Sequence, residues 1–301
     1  MGECNMNKIL NFGSLNIDIV YSLDHIVRPG ETISSEEINT FCGGKGLNQS
    51  VAIARSGLEV YHAGKIGRDG GIIRQALDEA GIKCDFLMES EGRTGNALIQ
   101  KDKSGQNSII LFGGTNKEIT TLEIDNILEQ FTGNDILIAQ NEISNVPYLL
   151  KAAQKSRMKI AFNPSPMEEW IKNTSLEGIT WLIINEIEGE DLTGSSKPEE
   201  IISRLLKKYP DISVVLTLGK NGVIYADKTN WFKHGANEVE VVDTTAAGDT
   251  FLGYFVGSTA KGLDIPTSLK LASLAASLAV SKAGAVSSIP TMEMVNELLK
   301  T

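Results

Sequence analysis

Four short apolar runs recur between residues 136 and 218: Ile136-Leu137-Ile138-Ala139, Lys159-Ile160-Ala161-Phe162, Trp181-Leu182-Ile183-Ile184 and Ser213-Val214-Val215-Leu216-Thr217-Leu218. Runs this short, rich in Ile and Val and without regular polar alternation, read as strands buried on both faces. Between them, residues 145–155 and 197–208 carry the apolar spacing of helices. A strand buried on both faces needs cover above and below. The stretch therefore predicts an α/β fold, with a mostly parallel central sheet and helices on both faces. Several runs end in Asn, Gln, Thr or Gly, and in such a sheet the ligand crevice lies at the carboxyl ends of the strands.

Working outward, residues 8–12 and 60–63 read as further strands, and residues 47–56 and 72–80 as helices closed by Gly57 and Gly81. Two segments break the rhythm. Residues 17–41 hold short alternating stretches around Arg28-Pro29-Gly30, while 97–100 and 108–112 flank the turn Lys103-Ser104-Gly105 as a hairpin. Strands inserted without helices predict a small β-sheet over the crevice, a lid of about residues 15–42 and 95–112. With no linker or internal repeat, residues 1–301 read as one domain with this excursion. In the last third, 238–242 reads as a strand, Asp243 to Thr250 leads into a helix through Val256, and 268–282 reads as an Ala/Leu/Ser helix.

Composition narrows the partners. The 301 residues suffice for one large α/β domain or two ordinary ones, with a core that needs no disulfide or metal staple. Lys and Arg number 28 against 38 Asp and Glu, a net charge of −10, which argues against nucleic acid or an anionic membrane as partner but leaves room for a local basic pocket. Hydrophobic residues at 42% and charged residues at 22% are ordinary for a globular protein. The most apolar segment, 271–280, is broken by Ser273 and Ser277, and no basic-then-apolar leader opens the sequence. The expectation is a cytoplasmic protein. Cys4, Cys42 and Cys84 are scattered and odd in number, fitting reduced thiols better than a disulfide framework. His25, His62 and His234 form no paired metal-ligand motif.

The chemistry concentrates in a few strand-to-helix turns. In Asp243-Thr244-Thr245-Ala246-Ala247-Gly248-Asp249-Thr250 a small-residue loop opens a helix, leaving backbone N–H groups unpaired where the helix dipole favours an anion. Asp249 sits in that first turn, either as a general base beside a phosphoryl group or as an ordinary acidic helix start. Gly43-Gly44-Lys45-Gly46-Leu47-Asn48 offers close backbone approach and polar groups to a polyhydroxylated ligand, or is a tight connection. It is not a Walker A loop, and no GxGxxG occurs, which removes the main support for P-loop or NAD-linked readings. Asn16 and Asp18 share one face of an extended stretch, placed to clasp neighbouring hydroxyls or to form Asx turns. Asn185, Glu186 and Glu188 follow a strand and could hold hydrated Mg²⁺ or simply begin a helix. Glu142 is a further strand-end carboxylate, and Thr217 to Gly222 links two strands.

Taken together, Gly13-Ser14-Leu15-Asn16-Ile17-Asp18, Pro29-Gly30-Glu31-Thr32, Gly43 to Gln49, Asn185-Glu186-Ile187-Glu188 and Asp243 to Phe251 resemble the ribokinase branch of the PfkB carbohydrate kinases, in order, from the first strand to Pro290. The resemblance implies a ribokinase-like α/β fold and ATP-dependent phosphorylation of a furanose hydroxyl, with ribose to ribose 5-phosphate the nearest case. It implies Asp249 as catalytic base, with the amides of Ala246, Ala247, Gly248 and Asp249 as the anion hole. Asn16, Asp18, Gly44, Lys45, Asn48 and Glu142 would hold the sugar. Asn185 and Glu188 would place Mg²⁺ and phosphate, and Thr217, Gly219 and Gly222 the nucleotide. An activating K⁺ would be held by Asp243 and by oxygens near Thr245, Ala279, Lys282, Gly284 and Ser288. Lid sheets of two subunits would pack as a homodimer. The polar Asn141 departs from the apolar residue that the family usually carries there. Kinases of other furanose sugars or nucleosides share much of this pattern, and a non-catalytic sugar-binding sensor is the alternative from another class.

Overall fold

A computed structural model describes residues 7–299; Cys4 lies outside the described residues. In chain order the elements are β1 (Ile9–Phe12), β2 (Asn16–Leu23), β3 (Glu37–Gly43), α1 (Lys45–Arg55), β4 (Tyr61–Ile66), α2 (Gly71–Glu79), β5 (Lys83–Glu89), β6 (Gly95–Asp102), β7 (Asn107–Phe112), α3 (Thr121–Leu128), β8 (Ile136–Gln140), α4 (Val146–Lys155), β9 (Lys159–Asn163), α5 (Glu169–Asn173), β10 (Trp181–Asn185), α6 (Glu186–Thr193), α7 (Pro198–Lys208), β11 (Ser213–Thr217), β12 (Val223–Ala226), β13 (Trp231–His234), α8 (Ala247–Ala260), α9 (Ile265–Val280) and α10 (Met292–Leu298).

The apolar runs form one nine-stranded sheet in the order β13-β12-β11-β10-β9-β8-β1-β4-β5. Pairing is parallel from β11 to β5 and antiparallel for β12 and β13. Successive strand residues point to opposite faces, and the core divides accordingly. Leu10, Leu137, Ile160 and Leu216 pack on one face with Ile124 of α3, Leu149 of α4 and Ile201 of α7. Ile9, Ile138, Ala161 and Val215 pack on the other with Leu47 of α1, Ile73 of α2, Phe251 of α8 and Leu271 of α9. Burial on both faces is why these runs lack alternation in the sequence. The inserted strands form a separate four-stranded sheet, β3-β2-β6-β7. Among the described residues no helix is long and apolar enough to cross a membrane.

Two expectations need correction. Residues 238–242 are not a strand: the alternation of Glu and Val imitates one, but β13 is the sheet edge, and the chain leaves it to cross toward α9. There Val242 N and Asp243 N donate to Val280 O, at 2.8 and 3.1 Å. The last long helix begins at Ile265 rather than 268, because Asp264 caps it by accepting from Thr267 N at 2.8 Å. Pro266 fits that first turn, where its missing N–H costs nothing. The strand β5 was not legible as an apolar run because it is the other sheet edge and only partly covered, with Lys83, Asp85 and Glu89 exposed along it.

Candidate active site

The carboxyl ends of β8, β9, β10 and β11 bring Gln140, Asn163, Asn185 and Thr217 to one edge of the sheet, with Gln140 opposite Asn163 and Asn185 opposite Thr217 in register. Strand order reverses at β1, whose neighbours are β8 and β4, and the chain leaves β1 through Gly13 and Ser14. This is the switch point at which open α/β sheets leave a crevice. Ser14 Oγ donates to Glu142 Oε2 across it, and Lys45 N donates to the same oxygen at 3.1 Å.

The glycine loop is shaped by close approach. Gly44 has φ of +95°, and Gly46 lies so near the Ser14 backbone that a Cβ would collide with it. The glycines thus serve packing as well as the site, and they seat the start of α1 on the β1 corner, where Leu47 N donates to Ser14 O at 3.0 Å. Beside this corner, Asn16 Oδ1 accepts from Asn116 Nδ2 at 2.8 Å. The Asp18 carboxyl is pushed up to about 6, by burial first and then by the Glu142 carboxylate. Lys45 faces Asp249, Glu142 and Glu188; burial alone would lower its ammonium, but the three carboxylates hold it above the usual lysine range.

At the other side of the crevice, Ala246 takes the left-handed conformation, φ +59°, immediately before α8. A non-glycine residue there is strained, and the turn it makes opens the helix without any side-chain cap. The N–H groups at the start of an α-helix have no preceding helical carbonyl to bond, and next to Gly248 an added Cβ would meet nothing within 4 Å. Asp249 is 8% exposed. Its Oδ2 accepts from Asn48 Nδ2 at 3.0 Å and its Oδ1 from Gln49 Nε2 at 2.8 Å.

A cavity of about 740 Å³ joins these parts, lined by Lys45, Asn185, Glu188, Thr217, Gly219, Gly222 and Ala246 through Asp249. Asn16, Asp18, Gly44, Asn48 and Glu142 are not on its wall; Glu142 adjoins it through its bond with Lys45 and Asn48 through its bond with Asp249. Asn185 and Glu188 form a capping box on α6: Glu188 N donates to Asn185 Oδ1 at 2.9 Å and Asn185 N to Glu188 Oε2 at 3.0 Å. The helix-start reading of this pair is therefore correct, while Glu188 also reaches the cavity. Burial, with Asp249 adding to it, outweighs those bonds and raises the Glu188 carboxyl.

Asp243 begins the turn that leads into α8. Its Oδ1 accepts from Thr245 N and Oγ1 at 2.9 and 2.6 Å, and its Oδ2 from Gly284 N at 3.0 Å. Burial would raise this carboxyl, but these bonds hold it below the usual range. Among the candidate oxygens nearby, Ala279 O accepts from Lys282 N at 3.2 Å, and Ser288 Oγ donates to Ala285 O at 2.8 Å. Among the described residues no three His, Cys, Asp or Glu side chains gather as a metal centre. The departure at Asn141 has a structural use: buried, it donates through Nδ2 to Pro166 O at 2.7 Å. Sequence reading missed Asn163, Ser165 and Asn116; the polar strand end at Asn163 was the available signal for the first, and nothing local marked the other two.

The model of the pfkB family carbohydrate kinases matches residues 6–292. The chain belongs to that family. It is 36% identical to the ribokinase of Bacillus subtilis over 301 residues, covering 98% of this chain and 100% of that one. With the ribokinase of Staphylococcus aureus identity is 34% over 304 residues, covering 97% and 99%. A crystal structure of the ribokinase of Cryptococcus neoformans in complex with ADP superposes with a TM-score of 0.86 at 34% identity, covering 97% of this chain and 99% of that one. The ribokinase of Arabidopsis thaliana complexed with ribose and ATP gives 0.85 at 29%, covering 98% and 99%. The pfkB chain described here is thus an ATP-dependent carbohydrate kinase with the ribokinase-like fold.

Proposed function

We propose that this kinase transfers the γ-phosphoryl group of ATP to the 5-hydroxyl of D-ribose, giving ribose 5-phosphate and ADP, with Asp249 as general base. The observation that carries the reading is the Asp249 carboxylate, held by two amides on the cavity wall at the uncapped start of α8. A carboxylate there accepts the hydroxyl proton as the oxygen attacks phosphorus and the bond to the ADP oxygen breaks. The amides of Ala246, Ala247, Gly248 and Asp249 face the charge that builds on the transferred group, and Lys45 stays cationic beside it. Asn16, Asp18, Gly44, Lys45, Asn48 and Glu142 would hold the sugar, beside the cavity at its Lys45 end, and the family relatives whose names specify ribose support that substrate. Thr217, Gly219 and Gly222 border the nucleotide end of the cavity.

The residues fit the two ions of the reading. Three carboxylates, Glu142, Glu188 and Asp249, surround the single ammonium of Lys45, leaving negative charge for a divalent cation to balance. Glu188, with Asn185, would hold Mg²⁺ through its water shell, which when bound neutralises phosphate charge. The carboxylate of Asp243, the hydroxyls of Thr245 and Ser288 and the main-chain carbonyls of Ala279, Lys282 and Gly284 are oxygen donors, the donor chemistry of K⁺. An ion there would steady the Asp243 to Ala246 turn. The small sheet, with Ile109, Ile110, Leu111 and Phe112 exposed, is proposed as a lid that excludes water and joins two copies as a homodimer.

Replacing Asp249 with Asn tests the assignment. Coupled ADP release with D-ribose should fall about 10²- to 10⁴-fold while ATP still binds. Full turnover by Asp249→Asn would remove the base. Turnover by the natural chain with another pentose or a nucleoside but not ribose would replace the substrate, and ribose binding without ATP consumption would make the protein a sensor.

A further inference from the structure

Behind Asp249 lies a file of buried amides that the reaction as written does not use. Asn11, Gln49 and Gln140 are 0%, 0% and 1% exposed. Asn11 Nδ2 donates to the Gly46 carbonyl at 2.7 Å and to Ser50 Oγ at 2.8 Å. Its Oδ1 accepts from Gln140 Nε2 at 2.8 Å, and the same Nε2 donates to Gln49 Oε1 at 2.7 Å. Gln49 Nε2 then donates to Asp249 Oδ1 at 2.8 Å.

We propose that Gln49 is a positioning residue for the general base, with its N–H aimed at Asp249 by the amide file that begins at the Gly46 carbonyl. The inference rests on the reading of Asp249 as base. The direction of the file follows from chemistry at its two ends. A main-chain carbonyl only accepts, so the amino group of Asn11 faces Gly46 and its oxygen faces Gln140. The two protons of Gln140 Nε2 then go to Asn11 and Gln49, and the oxygen of Gln49 is taken. Only its amino group remains for Asp249. A carboxylate only accepts, so both ends demand the same orientation. Reversing any amide would set buried donor against donor or acceptor against acceptor, which is expensive in a dry interior. With Asn48 on Oδ2 and Gln49 on Oδ1, the carboxylate cannot rotate, and it keeps a lone pair for the sugar hydroxyl. A misplacement of about 1 Å at such a group costs about 10²-fold in rate.

The test is a double-mutant cycle in ADP release with ribose, using Gln49→Met, which keeps length and loses the donor, alone and with Asp249→Asn. For Gln49→Met we expect kcat lower by about 10- to 100-fold with KM for ribose and ATP within about twofold. In the double variant we expect no loss beyond that of Asp249→Asn, because the amide acts only through that carboxylate. A kcat within twofold of the parent, a loss confined to KM, or losses that multiply in the double variant would each overturn the proposal. If Gln49→Met does not fold, Gln140→Met enters the same cycle, with a loss of about 3- to 10-fold expected and the same outcomes overturning it. Failure of the underlying reading is separately visible, as undiminished turnover by Asp249→Asn alone, and the inference falls with it.

Discussion

Asp18 shows how one side chain trades stability for binding. Burial and the facing Glu142 lift its carboxyl to about 6, against 3.8 for the free side chain. The ionised form is therefore the disfavoured one in the folded chain. Its penalty is absent below pH 4, grows as pH rises, and is complete above about 6. An ionised Asp18 is the stronger acceptor for a sugar hydroxyl, so kcat/KM for the sugar should fall as pH drops through about 6, and Asp18→Asn should lose that inflection. The same variant should unfold at higher denaturant at pH 8, gaining about 1 kcal/mol after allowance for solvent screening, while its KM for sugar rises. A variant less stable than the parent at pH 8 would contradict the burial argument.

At the scale of elements, the site exists because α1 and α8 lie unusually close. A Cβ on Gly253 would collide with Ala52 Cβ and come within 3.1 Å of Gln49 O, and one on Gly257 would collide with Ser56 Oγ. These two glycines let α8 present Asp249 directly to Asn48 and Gln49 on α1. Gly253→Ala should cost about 1–3 kcal/mol by denaturant unfolding and should also lower kcat, since the backbones that must separate carry all three residues. Much of this was legible in advance. Ile136 to Ala139 and its companions declared a doubly covered sheet because burial on both faces erases alternation, and Gly57 and Gly81 marked helix ends by their left-handed φ of +88° and +70°. Asp249 and Lys45 were legible because small residues and glycines surround them in the sequence. Gln49 was not: its role depends on Gln140 and Asn11, 91 and 38 residues away in the chain, and nothing local reports such pairing. Residues 238–242 misled for the converse reason, since strand-like alternation says nothing about whether a partner strand is there.

For the whole molecule, the exposed apolar side chains on the edge strands of the small sheet are the feature that a lone copy in water explains least. Ile38 and Phe41 on edge strand β3 and Ile109, Ile110, Leu111 and Phe112 on edge strand β7 are each about half exposed or more, and exposed apolar side chains clustered on one strand are of the kind that mark an interface. Light scattering on the purified chain should give a dimer, and Ile110→Lys should give monomers with a raised KM for sugar. A parent chain that is monomeric at micromolar concentration would contradict the lid-to-lid assembly. Phosphorus NMR can follow the complete reaction in one sample, with ATP, Mg²⁺, K⁺ and D-ribose present. One ribose 5-phosphate should appear for each ADP formed, and little ADP when the sugar is left out. ADP accumulating at the same rate without sugar, or a phosphate ester at another ribose hydroxyl, would contradict the proposed reaction.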